Sequence, residues 1–302
     1  MRLRLLPPLV ALALAACGGG GPADPGPSPD AKLDQANRAG GQALSMDMPS
    51  LAVRQYKTAL QRAYERDDAG AIADVSYNLA LAQMRAGDAK AAIATVQDAQ
   101  RDLDRRRAAI PAELFLVLAA ASYRANDLAA ADSAAQETLS RTSSDSDTAP
   151  RAWFIRGLVA AQRGDGPALT QAIAALPPSK QADLQADREE LEGRAALLDN
   201  RPAEALARLQ RAAYNRQQAL DYRGMARALA SAADAAQRSG QSTEAADLLL
   251  RAGRSALLQG DTATALPLLR RAEETARQTG QNGIVEEVAR LRKTAVERTA
   301  AR

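Results

Sequence analysis

From Leu33 onward, small and apolar residues return every three or four positions, with polar residues filling the opposite side of a helical projection. No stretch alternates apolar and polar residues over four to eight positions strongly enough to compete, so the pattern predicts helices throughout and no strands. A longer period lies over this one. Turn-forming residues stand at Asp47, Gly87, Asn126, Gly164, Asn200, Gly240 and Gly280, in steps of 40, 39, 38, 36, 40 and 40 residues. Gly, Asn and Asp are the types that tolerate the left-handed conformation at a helix end.

Other offsets from the turn repeat as well. Seven residues before it stand Gly40, Ala80, Ala119, Gly157, Gly193 and Ala233, with Glu273 as the exception. Five after it stand Ala52, Ala92, Ala131, Leu169, Ala205, Ala245 and Val285. Nine after it come Tyr56, Val96, Ala135, Ile173, Leu209, Leu249 and Ala289, and twelve after it Ala59, Ala99, Thr138, Leu176, Ala212, Ala252 and Arg292. Spacings of four and three place the last three sets on one helical face. Each turn therefore joins two helices that approach closely through small side chains.

This order of small residue, turn, small, larger apolar and small resembles the tetratricopeptide repeat. The unit with Pro150, Trp153 and Gly157 ahead of Gly164 matches it best. The resemblance implies an all-α fold, a right-handed solenoid of about seven antiparallel helical hairpins over residues 32–302, closed by a C-terminal capping helix. The steps exceed the family's usual ~34 residues, and the proline closing the second helix is mostly missing. Longer first helices, or looser connections at Ser143 to Thr148 and Pro177 to Gln181, are therefore expected. In the last helix Ile284, Val285, Val288 and Leu291 share one side and Glu286, Glu287, Arg290 and Lys293 the other, as a cap with a wet outer face requires.

In such a solenoid the first helix of each hairpin lines the concave side, where a partner helix or extended peptide would lie. The inner positions are Tyr77, Leu116, Phe154, Glu190 and Ala230 ten before the turn, and Met84, Tyr123, Ala161, Leu197 and Gln237 three before it. A protein-binding groove is thus expected with a hydrophobic floor of Tyr77, Met84, Tyr123 and Phe154. Arg194, Arg227, Asp234 and Arg238 add charge toward the C-terminal half. The charged stretches Arg101 to Arg107 and Asp187 to Glu192 read as solvated helix faces.

The N-terminus is of another kind. Arg2 and Arg4 precede an apolar stretch from Leu5 to Leu14 that is too short to span a bilayer, which reads as an export signal over residues 1–16. Leu14-Ala15-Ala16-Cys17-Gly18 resembles the bacterial lipobox, and the resemblance implies a lipid-attached Cys17. Acyl chains anchor at roughly 0.8 kcal/mol per buried methylene. Gly18 in the following position implies, by the same resemblance, the inner leaflet of an outer membrane, facing the periplasm. Residues 17–31 read as the lipidated cysteine and a Gly/Pro-rich tether. Its thirteen residues from Gly18 to Asp30 would reach roughly 20 Å as a coil or about 40 Å extended.

Composition removes most other chemistry. The chain has no histidine and one cysteine, which excludes Ser/His/Asp and Cys/His catalysis, histidine-based zinc sites and any internal disulfide. No cofactor, metal ligand set or catalytic residue is predicted. Without Arg2 and Arg4 there are 37 basic and 36 acidic side chains, interspersed, so nucleic acid is not an expected partner. The expectation is a lipid-anchored, non-enzymatic scaffold for protein partners in envelope assembly: pilus secretins, barrel assembly or peptidoglycan machinery. The alternatives are a carboxylate-only cell-wall enzyme and a small-ligand-binding structural lipoprotein.

Overall fold

The computed structural model describes residues 30–143, 146–176 and 178–300; the leader, Cys17 and the tether up to residue 29 lie outside the described residues. Among the described residues there are fourteen helices and no strand: α1 (Ala31–Ser45), α2 (Pro49–Glu65), α3 (Ala69–Arg85), α4 (Ala89–Arg105), α5 (Ala112–Arg124), α6 (Leu128–Arg141), α7 (Thr148–Arg163), α8 (Gly166–Ala175), α9 (Ala182–Leu198), α10 (Pro202–Gln218), α11 (Tyr222–Arg238), α12 (Ser242–Leu258), α13 (Thr262–Gln278) and α14 (Asn282–Ala300). Each packs against the next in a run of seven hairpins, and α3, α5, α7, α9 and α11 also touch in that order along one side. The fold is an all-helical solenoid, as the pattern predicts.

All seven expected turn residues have positive φ, from 55° at Asp47 to 86° at Gly87. Four turns that the sequence reading did not mark have it too: Asp67, Arg107, Leu220 and Gly260. They join the second helix of one hairpin to the first helix of the next. The repeating unit is therefore nearer twenty residues than forty, typically a helix of seventeen residues and a three-residue link. The long steps come from second helices as well as first ones, since both are seventeen residues long in three of the seven hairpins. The link ends one helix and starts another. In Ala86-Gly87-Asp88, the Asp88 N–H donates to the Gln83 carbonyl at 2.9 Å and the Gly87 N–H to the Met84 carbonyl at 3.2 Å. Asp88 then caps α4 by accepting from Ala91 N at 2.9 Å. Asp68, Asp127, Asp165, Asp221 and Asp261 cap α3, α6, α8, α11 and α13 in the same way. Where no aspartate caps, α2 and α10 begin with Pro49 and Pro202.

At Gly40 and Gly193 the small residue seven before a turn lies against the residue nine after it, whereas Gly157 meets Leu191 of α9. A Cβ on Gly40 would stand 2.7 Å from the Tyr56 ring, and one on Gly193 2.7 Å from Leu209 Cγ. Gly253 meets Leu269 in the same relation about Gly260, one of the unmarked turns, so the packing follows the shorter period. The two exceptions at the C-terminal end answer each other. Glu273 and Arg292, standing where other units carry small residues, form an ion pair at 2.9 Å. In α14 Val288 is fully buried, while Glu286, Arg290 and Lys293 are exposed, which gives the last helix its wet outer face. At the other end Asp30 does more than the tether reading allowed. It caps α1 through Lys32 N and Leu33 N and pairs with Arg62 of α2 and with Arg66 just beyond that helix. Those hydrogen bonds hold its carboxyl down at about 2.

Candidate functional site

The inner side of the solenoid is lined by α3, α5, α7, α9 and α11, and it differs from the expected apolar floor. Met84 and Phe154 are 7% and 8% exposed and belong to the cores between hairpins, so neither offers apolar surface to a partner. Tyr77 and Tyr123 are half-buried against those cores. Asp234 pairs with Arg271 of the next hairpin. Arg238 is exposed and donates to the Leu197 carbonyl at 3.2 Å. That bond is one of a set: Arg85 reaches the Leu44 carbonyl at 3.4 Å and Arg124 the Met84 carbonyl at 2.9 Å. Each of these arginines, two residues before its turn, adds a second donor to a carbonyl that the turn N–H already reaches at the C-terminus of the preceding first helix, where the helix dipole favours a cation.

The centre of the inner side is ionic. Glu190 in α9 is fully buried and accepts five hydrogen bonds from three arginines. Arg227 gives two, at 2.7 and 3.0 Å, Arg216 two, at 3.2 and 2.8 Å, and Arg194 one, at 3.1 Å. Arg216, only 4% exposed, also reaches Asp187 at 2.7 Å and Asp221 at 2.7 Å. The guanidiniums of Arg216 and Arg227 lie 5.1 and 5.3 Å from the centre of the Phe154 ring. Of the candidate residues, Phe154, Arg194 and Arg227 are thus brought together, by a glutamate that the sequence placed on the inner side without assigning it a role. The reading of Asp187 to Glu192 as a solvated face is corrected here. Asp187 and Glu190 are buried, and Glu189 and Glu192 pair with Arg208 of α10. In the stretch Arg101 to Arg107, Asp102 is likewise 7% exposed and paired with Arg105 and Arg106.

Burial alone would push the Glu190 carboxyl up, but the guanidiniums of Arg227, Arg216 and Arg194 reverse this and hold it far below the usual range. Arg227 is correspondingly raised against the cost of its own burial. Asp187 is different: burial dominates over its contact with Arg216 and lifts it to about 6.

Next to this cluster the inner side carries positive charge that is not neutralised. Arg124 is solvent-accessible yet has protein around it on most sides, as a side chain within a concavity does. That enclosure, then Arg223 and Arg227, lowers it to about 10. Among the described residues no carboxylate forms an ion pair with it; its recorded partner is the Met84 carbonyl. No three acidic or cysteine side chains among the described residues stand close enough to hold a metal ion.

No protein-family profile matches the sequence, and no curated protein matches it. Solved structures do. A tetratricopeptide repeat protein from Parabacteroides merdae is 13% identical with a TM-score of 0.51, over 86% of this chain and 98% of that one. The MamA protein is 17% identical with a TM-score of 0.42, over 63% of this chain and 95% of its own. The TPR2AB domain of yeast Sti1, solved as a pHSP90 complex, is 17% identical with a TM-score of 0.36, over 87% and 98%. The likeness to the Parabacteroides protein establishes a solenoid of the tetratricopeptide type.

Proposed function

We propose that this chain is a protein-interaction scaffold, held by lipid on Cys17 at the periplasmic face of an outer membrane, that takes an acidic segment of an envelope-assembly partner into its concave side. The observation that carries the reading is Arg124: an accessible guanidinium inside a concavity, without a carboxylate of its own, beside Arg223 and Arg227. A carboxylate entering there would gain charge-assisted hydrogen bonds from Arg124 and offset the repulsion that Arg223 and Arg227 exert on it. The fold supports the scaffold role because stacked hairpins offer a continuous concave surface. The lipobox-like Leu14-Ala15-Ala16-Cys17 supports the anchor. The partner chemistry departs from the expected apolar floor, since Met84 and Phe154 are core, while Arg124 is exposed and Arg223, Arg227, Tyr77, Leu116 and Tyr123 are half-buried.

The test is crosslinking in the native membrane, followed by purification and identification of what is captured. Arg124→Gln keeps a donor for the Met84 carbonyl and removes the charge. It should leave helicity unchanged and lose one recurrent envelope protein that the unaltered chain retains. Cys17→Ala should release the protein from the membrane fraction. Equal recovery of the same proteins with Arg124→Gln would remove the inner side as the binding surface.

A further inference from the structure

The C-terminus of α3 and the N-terminus of α11 belong to the second and sixth hairpins, yet they are in contact. Arg223 in the first turn of α11 donates through Nη2 to the carbonyl of Arg85, the last residue of α3, across a sequence separation of 138 residues. The same nitrogen lies 3.4 Å from the Gln259 carbonyl, and Nη1 stands 3.8 Å from Asp261 Oδ2. The Arg85 carbonyl is one of the groups that a helix leaves unpaired at its end, so it accepts a cation readily. The neighbouring Met84 carbonyl is taken by Arg124. Two arginines, one from the adjacent hairpin and one from four hairpins on, therefore cap a single helix end.

We propose that Arg223 is a latch that draws the two ends of the concave side together, and that the concavity admits a macromolecular segment when its bond to the Arg85 carbonyl breaks. The inference rests on the reading of the concave side as the binding surface. Three features make the bond a switch rather than a fixed strut. Arg223 already holds Gln259 and Asp261 on its own arm, so on release it keeps the carbonyl and the carboxylate there, and only the α3 side loses its cation. In the latched form Arg124 also stands near Arg223 and Arg227, whose effect on it outweighs that of Asp261 and Asp221, and this repulsion opposes the latch. Finally, an anion bound at Arg124 would relieve that repulsion from within, so an acidic occupant, once admitted, favours the latched form through its charge.

The experiment is small-angle scattering on the full chain carrying Cys17→Ala, which keeps every residue of the solenoid. Arg223→Ala should raise the radius of gyration and the maximum dimension with unchanged far-UV circular dichroism. Arg223→Gln, which retains a donor without the charge, should give a smaller rise. An unchanged profile in both variants would overturn the latch. If Arg223→Ala loses helicity, Arg223→Gln alone decides, because an unchanged profile there still refutes the proposal. The measurement needs no partner, so a swollen Arg223→Ala together with full partner recovery by Arg124→Gln would keep the latch and discard the binding reading.

Discussion

Glu190→Gln tests whether the ionic centre holds the middle of the solenoid. The substitution keeps side-chain volume, so no cavity contributes, and it removes one charge that three guanidiniums share through five hydrogen bonds. Arg216 keeps Asp187 and Asp221, but Arg227 and Arg194 lose the carboxylate that they face, and the new amide N–H₂ group opposes one of the donors. Breaking a buried ion pair by removing one partner costs about 3–5 kcal/mol, and Glu190 is fully buried, so the expected loss lies in that range. Solenoids unfold in parts. Denaturant unfolding by far-UV circular dichroism should therefore be joined by amide exchange across α9, α10 and α11, where protection should fall most. A loss below about 1 kcal/mol with unchanged protection would place Glu190 in effective contact with water and refute the argument.

Three further outcomes follow from the same structure. Gly193→Val puts a branched side chain where a Cβ would already stand 2.7 Å from Leu209 Cγ, and should cost about 1–3 kcal/mol in denaturant unfolding; a neutral result would mean the helices separate freely. Leu220 is 70% exposed with φ of +57°, so Leu220→Gly removes left-handed strain at no loss of core and should stabilise by about 0.5–1 kcal/mol; a lower melting temperature would contradict this. Asp187 has its folded pKa raised by burial to about 6, so its contribution to stability is fully present below the unfolded value near ~4 and is lost as pH rises through 6. The wild type should gain about 1.3 kcal/mol from this group on going from about pH 7 to about pH 5, and Asp187→Asn should remove most of that gain. Equal pH dependence in the two proteins would refute the burial argument.

The turns were legible because their chemistry is local. Gly, Asn and Asp tolerate left-handed backbone whatever the rest of the chain does, and the seven expected positions all take positive φ. The half-period was harder to see because Arg107 and Leu220 carry no turn signal of their own; the three-residue link imposes left-handed backbone on them. Gly40 and Gly193 showed their role through repetition, since only a small side chain fits beneath Tyr56 or Leu209. The ionic centre was not legible. Asp187 to Glu192 has the spacing of a solvated helix face, and the arginines that neutralise Glu190 from outside its own helix lie 26 and 37 residues away. Met84 and Phe154 show the opposite: helical spacing puts them on the inner side, but their side chains pack into the cores between neighbouring helices. Cys17 and the leader are read from sequence alone, because they lie outside the described residues.

The central claim is that a partner enters the concave side, and site-specific photocrosslinking tests it most directly. A photoreactive residue replacing Tyr123, on the inner side, is compared in native membranes with one replacing the exposed Arg251 of α12. The account predicts a discrete crosslinked adduct from position 123, absent from position 251 and abolished by Arg124→Gln. An adduct from position 251 alone, or equal adducts from both, would contradict it.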